Sequence, residues 1–401
     1  MIEPKIFYRD FDRLLKRIRQ EKTGKNFLFT IFTEVQKNFG DALRIGNIKL
    51  FEDRGGEFAL IVNLLNGNGR DTNTKLLLDS PAVQELLKHG SYLYDNAEFS
   101  IDSRISQQGY YAIPAAIVVR SIERRWIVVF ELKTGWVREE IVFSLNAIRT
   151  ALNCRLYSEA VQTELEQAAQ IQQSLLPAQP PQTNEYQLAA RSLPTEIVGG
   201  DLYDFFEFDD DVLGVCIGDA SGHGLPAALL VRDVVIGLRM GMEKHMKMVH
   251  TFQKLNSVIN RSNFSSRFVS LFYGEIERDG HLIFVNAGHP TPFLIKGNTM
   301  QDLKATGLIL GALPEIKLHR SYAHMEPGSV LVLYSDGILE RENDQEQAFN
   351  IRRLKKLVEK HQEKSAQEIM DLVFEKVYEY GNRRKWEDDC TVVVIKRLAS
   401  K

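Results

Sequence analysis

Val212-Leu-Gly-Val-Cys-Ile-Gly218, followed by Asp219-Ala-Ser-Gly-His-Gly224, is the stretch on which the reading of this chain turns. Its apolar first half reads as a buried strand that ends on an acid. The glycines behind the acid permit a tight backbone and a close approach to an ion or a phosphate. A helix then begins at Leu225-Pro226-Ala227-Ala228, with proline suited to the first turn. Strand, aspartate, glycine-rich turn and helix N-terminus together form a recurrent cradle for a metal beside an anion.

Three more acidic segments accompany it. Gly199-Gly200-Asp201 lies just upstream. Val330-Leu-Val-Leu-Tyr-Ser335 reads as a strand that delivers Asp336, and Gly337 turns the chain away. Glu387-Asp388-Asp389 leads directly into the strand-like run Thr391–Ile395. Antiparallel neighbours put one strand's end beside another's start, so Asp336 and Asp388 can share a sheet edge. Singly, each Asp–Gly pair is more often a turn than a ligand. Gathered at one site, the carboxylates would repel one another, and a pKa would rise. Two divalent cations remove that repulsion. Mg²⁺ and Mn²⁺ take oxygen ligands, keep several waters and need few carboxylates each. They also polarise a phosphate and supply a nucleophile, so the expected chemistry is two-metal phosphoester hydrolysis.

The remaining strand-like runs of residues 185–398 are Phe268–Ile276, Leu282–Val285 and Thr291–Leu294. Helical runs are Leu225–His245, Thr251–Ile259, Ile351–Lys360 and Ala366–Tyr380. Paired strands with helices clustered between them predict an α+β sheet sandwich flanked by helices, not a doubly wound parallel sheet. Residues 1 to about 140 mix helical runs (Phe11–Arg19, Leu28–Phe39) with strand-like ones (Ile48–Phe51, Phe58–Leu64, Ala115–Val119, Trp126–Leu132). Gly55-Gly56 and Gly67-Asn68-Gly69 are turns. The predicted order is helix, hairpin, irregular stretch, hairpin, helix, in a small domain with an antiparallel sheet.

From about 138 to 176 the chain is helical, with no Gly or Pro before Pro177. Ala151, Cys154, Ser158, Val161, Leu165, Ala168, Gln172 and Leu175 fall on alternating three- and four-residue steps, a heptad seam interrupted at Ser158 and Gln172. It is either a helix packing on its own domain or a dimerising coiled-coil connector. Its place between two domains favours the connector. Pro177-Ala-Gln-Pro-Pro181 then reads as a stiff linker.

A chain of 401 residues exceeds the usual single core, in line with two domains and a connector. A net charge of −3 gives no global basic field for nucleic acid. Cys154, Cys216 and Cys390 lie far apart without a C-x-x-C pair, so they read as reduced, cytosolic and not metal-binding. The N-terminus shows no apolar signal core, and no run approaches a membrane span. A cytoplasmic protein without direct membrane insertion is expected.

The second domain resembles a known family. Val198-Gly-Gly-Asp-Leu-Tyr-Asp-Phe205, Ile217-Gly-Asp-Ala-Ser-Gly-His-Gly224, Asn286-Ala-Gly-His-Pro290, Leu333-Tyr-Ser-Asp-Gly337 and Asp388-Asp-Cys-Thr391 look like the ordered motifs of bacterial SpoIIE/RsbU-type serine phosphatases. These belong to the metal-dependent PPM (type-2C-like) phosphatases. The resemblance implies an αββα sandwich, two Mn²⁺ or Mg²⁺ ions, and hydrolysis of phosphoserine or phosphothreonine on a protein. It matches Asp219 to the ligand bridging both metals and Ala220 to the position lending its carbonyl. Asp201, Asp336 and Asp388 match further acidic ligands, and Asp389, which stands where eukaryotic relatives usually carry Asn, is one more candidate metal ligand. Catalysis is thereby placed on Asp219, Asp336 and Asp388. Asp204 is either a ligand through water or a turn or surface carboxylate. Eukaryotic relatives carry a phosphate-clamping Arg before the first motif. Here Leu193-Pro-Thr-Glu-Ile197 has none, and Arg191 is only nearby. His223 lies four residues after the aspartate rather than two, and is either a general acid or a turn cap. His289 reads as structural, and Ser335 replaces the usual Thr.

By element order and position, the N-terminal domain resembles a GAF-type sensor. The division expected is a GAF-like domain over 1–145, a helical connector over 146–176 and the phosphatase over 177–401. The resemblance implies a phosphorylated anti-sigma factor antagonist of the STAS type as substrate, a homodimer, and an unidentified signal at the N-terminal domain. The competing reading is a non-catalytic dimeric pseudophosphatase. Decayed relatives usually lose an aspartate, and here Asp201, Asp219, Asp336 and Asp388 are all present.

Overall fold

The computed structural model describes residues 4–22, 26–64, 74–95, 100–101, 112–208, 212–243, 247–261 and 267–399. The chain divides into two units, Met1–Glu164 and Leu165–Lys401.

The first unit opens with helices Pro4–Gln20 and Phe27–Phe39. Strands β1 (Ile45–Asp53), β2 (Glu57–Asn63) and β3 (Lys75–Leu77) follow, then helix Pro81–His89. Strands β4 (Ser91–Leu93), β5 (Ala112–Arg120) and β6 (Arg125–Lys133) complete an antiparallel sheet of order β3-β2-β1-β6-β5-β4. Both expected hairpins form. Gly55 and Gly56 turn the first, with φ of 75° and 120°, where a side chain would be strained. Alternation along the strands splits the core in two. Ala115, Ile117, Val128 and Phe130 face helix Phe27–Phe39, whereas Ala116, Val118, Ile127 and Val129 face helix Pro81–His89. That last helix corrects the expectation of an irregular stretch. Its punctuation was readable: Pro81 sits in the first turn, and Gly90 closes the helix in the left-handed region at φ 77°. The Gly67–Gly69 turn lies outside the described residues.

Helix Arg138–Gln173 is continuous, as its freedom from Gly and Pro predicts. Its last turns belong to the second unit, where Ala169 is buried with Val198 and Ala228.

The second unit is a sandwich. One sheet holds β8 (Asp201–Phe208), β9 (Val212–Ala220), β10 (Val269–Ile276), β11 (His281–Ala287) and β14 (Ser321–His324), in the order β14-β11-β10-β9-β8. The other holds β7 (Tyr186–Leu193), β12 (Phe293–Lys296), β13 (Thr299–Asp302), β15 (Val330–Tyr334) and β16 (Cys390–Arg397), in the order β13-β12-β15-β16-β7. Leu213, Val215 and Ile217 of β9 meet Leu331 and Leu333 of β15 and Val393 and Ile395 of β16 between the sheets. The opposite faces are covered by helices. Helices Leu225–Glu243 and Met248–Arg261 lie over the first sheet, and Asn350–His361 and Ala366–Tyr380 over the second. The result is the αββα layering expected from the sequence.

Candidate metal centre

The same alternation that fills the sandwich places its acids. Leu213, Val215 and Ile217 point between the sheets, so Asp219, next in step, points there too. On β8, Tyr203 faces the inter-sheet layer, and so does Asp201. On β16, Ile395 and Val393 lead to Thr391 in the same way, and on β15 Leu331 and Leu333 lead to Ser335. At one end of the sandwich the apolar filling therefore stops and oxygen takes its place.

Register brings these ends together. Asp201 lies directly opposite Asp219 on β8 and β9. Ser335 donates its backbone N–H to Thr391 O at 3.0 Å, and Thr391 returns its own N–H to Ser335 Oγ at 2.9 Å. This exchange binds the Asp336 segment to the Asp388–Asp389 segment. The two sheets are joined by Thr391, whose hydroxyl donates to Asp201 Oδ2 at 2.6 Å. Asp336 opens the short helix Asp336–Leu339, where Gly337 N–H donates to its Oδ1 at 3.0 Å.

The electrostatics are those of an uncompensated acidic group. Burial pushes Asp201 well above the ordinary carboxylate range, and the Asp219 charge adds to that. Asp219 is raised to about 7, first by burial and then by the charges of Asp336, Asp388 and Asp389. Asp388 is raised by burial, with Asp336 and Asp389 adding and His223 opposing. No lysine or arginine is among the charges acting on these three. Gly200 completes the cradle: a Cβ there would stand 2.9 Å from Ala220 O and 3.3 Å from Asp219 Oδ1. A carbonyl and several carboxylates without a lysine or arginine partner among the described residues fit hard divalent cations. The donor atoms do not crowd round one point. Among the described residues, three ligand atoms within 4.8 Å of one another occur at exposed Glu277, Asp279 and His281 on a hairpin, not among these aspartates. A spread set suits ions that keep much of their water.

Asp389 differs from its neighbour. Its Oδ1 accepts from Thr195 N at 2.7 Å and Thr195 Oγ1 at 3.0 Å, and its Oδ2 accepts from Gly200 N at 2.6 Å. Both oxygens thus hold the loop that carries Asp201. Asp204 is neither a turn nor a surface carboxylate, and it does not face the other acids. It is buried on the helix side of β8 and pairs with Arg239 Nε at 2.7 Å. Arg239 also donates to Leu175 O at 2.6 Å. Arg191 is engaged elsewhere, with Asp371 and over the Phe374 ring. His223 is 82% exposed, with Nδ1 3.0 Å from Glu196 Oε1. His289 is buried, its Nδ1 2.8 Å from Ser270 Oγ, and burial lowers its pKa to about 3. Asn286 Oδ1 accepts from the His289 backbone N–H at 2.8 Å, fixing the turn between them.

Gln172, read above as a defect in the heptad seam, has a partner. Its amide accepts from Gly199 N at 3.2 Å and donates to Gly199 O. Sequence reasoning also missed Arg239. Its signal, one of two arginines on a largely apolar helix, is weak.

A sandwich of this layering, with aspartates from four strand ends at its rim, defines a metal-dependent phosphatase of the PP2C type. The SiaA PP2C domain of Pseudomonas aeruginosa has the same fold: its TM-score is 0.53 at 20% identity, over 60% of this chain and 98% of that one. The family description "Stage II sporulation protein E (SpoIIE)" matches residues 209–398. Phosphoserine phosphatase RsbU of Bacillus subtilis is 31% identical over 243 residues, 60% of this chain and 71% of RsbU. Phosphoserine phosphatase RsbP of the same organism is 27% identical over 184 residues, 44% of this chain and 45% of RsbP. The chain belongs to the SpoIIE family of PP2C-type phosphatases, which are metal-dependent hydrolases.

Proposed function

We propose that this chain hydrolyses phosphoserine or phosphothreonine on a partner protein, with two divalent cations, Mn²⁺ or Mg²⁺. Asp201, Asp219, the Ala220 carbonyl, Asp336 and Asp388 would hold them. The observation that carries this reading is the gathering of Asp201, Asp219, Asp336 and Asp388 at one end of the sandwich, where burial and neighbouring carboxylates raise Asp201, Asp219 and Asp388 and no lysine or arginine among the described residues offsets them. When bound, the ions would polarise the phosphate and activate water for in-line attack. The chain's own share is positional. Asp389 and Thr195 hold the loop of Asp201, Thr391 orients the Asp201 carboxylate, and Gly200 leaves room beside Ala220 O. Asp389 is assigned this holding role.

The RsbU likeness supports a phosphoserine protein as substrate, and the family resemblance implies that this is a phosphorylated STAS-type anti-sigma factor antagonist. The N-terminal unit is assigned the role of a GAF-like sensor. Helix Arg138–Gln173 would carry its state to the site as the coiled-coil connector of a cytoplasmic homodimer. Gln172 on Gly199 supports that route, since a turn of the helix would withdraw the amide from the peptide beside Gly200-Asp201.

The test is Mn²⁺-dependent hydrolysis of p-nitrophenyl phosphate and of a phosphoserine protein, wild type against Asp219→Asn. The mutant should lose about 10³-fold in turnover. Equal turnover in both would sink the assignment. For the sensor route, Gln172→Ala should change turnover of the full chain. Activity untouched by it, and by truncation before Gln172, would remove the route.

A further inference from the structure

Arg341 is among the largest side chains buried outright, with 2% of its surface exposed. Its Nη1 donates to Lys385 O at 2.7 Å, and its Nη2 donates to Arg384 O at 2.6 Å and Gly381 O at 3.3 Å. The guanidinium lies over the Trp386 ring at 5.2 Å. Its Nε is buried and finds no acceptor among the described residues. The nearest acid, Glu387, stands at 3.8 Å with half its side chain in solvent. Gly381 is indispensable to this packing: a Cβ there would fall 1.9 Å from Nε.

A buried cation without a close carboxylate is a poor device for stability, since an apolar side chain of similar volume usually serves at least as well. What the arrangement does provide is a fixed loop. The carbonyls of 381, 384 and 385 are all held by one rigid planar fork. That loop runs directly into Glu387-Asp388. Arg341 itself follows directly on the helix Asp336–Leu339 and Glu340, whose N–H donates to Asp336 O at 2.9 Å. Its own carbonyl accepts from Phe349 N at 2.8 Å, which fixes the point from which the side chain reaches. One side chain therefore spans the two segments that carry Asp336 and Asp388.

We infer that Arg341 is a positioning residue that sets Asp388 against Asp336 for metal binding. It touches neither metal nor substrate and acts through the Gly381–Glu387 loop. The inference rests on the metal-dependent reading proposed above. Outer-shell partners of this kind change metal affinity by about 10- to 100-fold when removed.

The experiment is calorimetric titration of Mn²⁺ into the full chain, with melting in EDTA alongside. It compares wild type, Asp219→Asn, Arg341→Met, Arg341→Lys and Gly381→Ala. Arg341→Met should weaken Mn²⁺ binding about tenfold or more, and Arg341→Lys should not restore it, because an ammonium cannot span three carbonyls in a plane. Gly381→Ala keeps the arginine but displaces its fork, and should weaken binding in the same sense. Arg341→Lys and Gly381→Ala carry the test if Arg341→Met does not fold. A purely structural arginine gives the opposite pattern: lower melting in EDTA with wild-type Mn²⁺ affinity in the folded variants. That result overturns the inference. Wild type that fails to bind Mn²⁺, or Asp219→Asn that binds as wild type does, overturns the metal reading itself.

Discussion

Asp201 and Asp204 sit on the same strand and are buried to the same degree, at 4% and 3% exposure, yet the protein treats them oppositely. Asp204 faces the helices and receives a cation, Arg239, from the fold. Asp201 faces the gap between the sheets and receives only hydroxyl hydrogen bonds, from Thr391 and Ser335, with the repulsion of Asp219 and Asp389. A buried charge left without a partner is costly. The acid whose charge the fold balances is structural, and the one left unbalanced is the one assigned above to a cation from solution.

The comparison breaks most visibly in activity. Asp201→Asn should cut Mn²⁺-dependent turnover about 10³-fold, the scale of losing a metal ligand. Asp204→Asn, once folded, should keep turnover within about tenfold, the size of a modest loss of positioning. Equal losses in a steady-state assay would erase the distinction.

In EDTA the order of stabilities should invert. Asp201→Asn removes an uncompensated charge and should raise the melting temperature. Arg239→Met leaves Asp204 buried and unpaired and should cost about 2–3 kcal/mol, scaled down because Arg239 is partly exposed. That corresponds to a fall of several degrees, roughly 4–12 °C for a unit of this size.

The pH dependence sharpens the same point. Asp219 titrates near 7 in the folded protein and near 3.9 when unfolded. Between those values the folded state keeps a proton that the unfolded state has lost. The Asp219 contribution to stability in EDTA is therefore largest at the acid side and falls as pH rises from about 4 to about 7. His289, lowered to about 3, contributes with the opposite sign, so the Asp219 part is read as the difference between wild type and Asp219→Asn. With Mn²⁺ present the slope should reverse, because protons compete with the ion. Denaturant melts across that range, with and without Mn²⁺, test both signs.

The smallest effect belongs to His223. It is mostly in solvent and leans on Glu196. His223→Ala should change turnover by about twofold, as expected of a surface substitution. A large fall confined to the step that protonates the leaving group, seen as a changed pH–rate profile, would restore it as a general acid.

Much of the site was legible because acids at strand ends carry their own punctuation. Asp219 ends an apolar run, Asp336 is followed by Gly337, and Asp388 precedes another run. The strand of Asp201 was not read as one. Asp-Leu-Tyr-Asp-Phe-Phe-Glu-Phe over 201–208 is buried on both faces and yet carries acids on both, so neither alternation nor a continuous apolar run marks it. β7 was missed for a related reason, since Tyr-Gln-Leu-Ala-Ala-Arg-Ser-Leu over 186–193 mixes small and polar residues. Arg239 and Arg341 were out of reach. Their partners are a carboxylate and loop carbonyls distant in sequence, and nothing in the local pattern marks a cation that will be buried. The heptad reading explained Gln172 as a weakness, because an amide's partner is invisible until the Gly199 peptide lies opposite.

The exchange between Ser335 and Thr391, with Thr391 reaching across to Asp201, has a kinetic consequence. Segments almost two hundred residues apart in sequence are stitched into one opening unit, so none can loosen without the others. Local breathing of this rim and escape of a bound ion then become a single event. The Gly200 and Thr391 amides should exchange their hydrogens together, at a rate that an ion slows for both by the same factor.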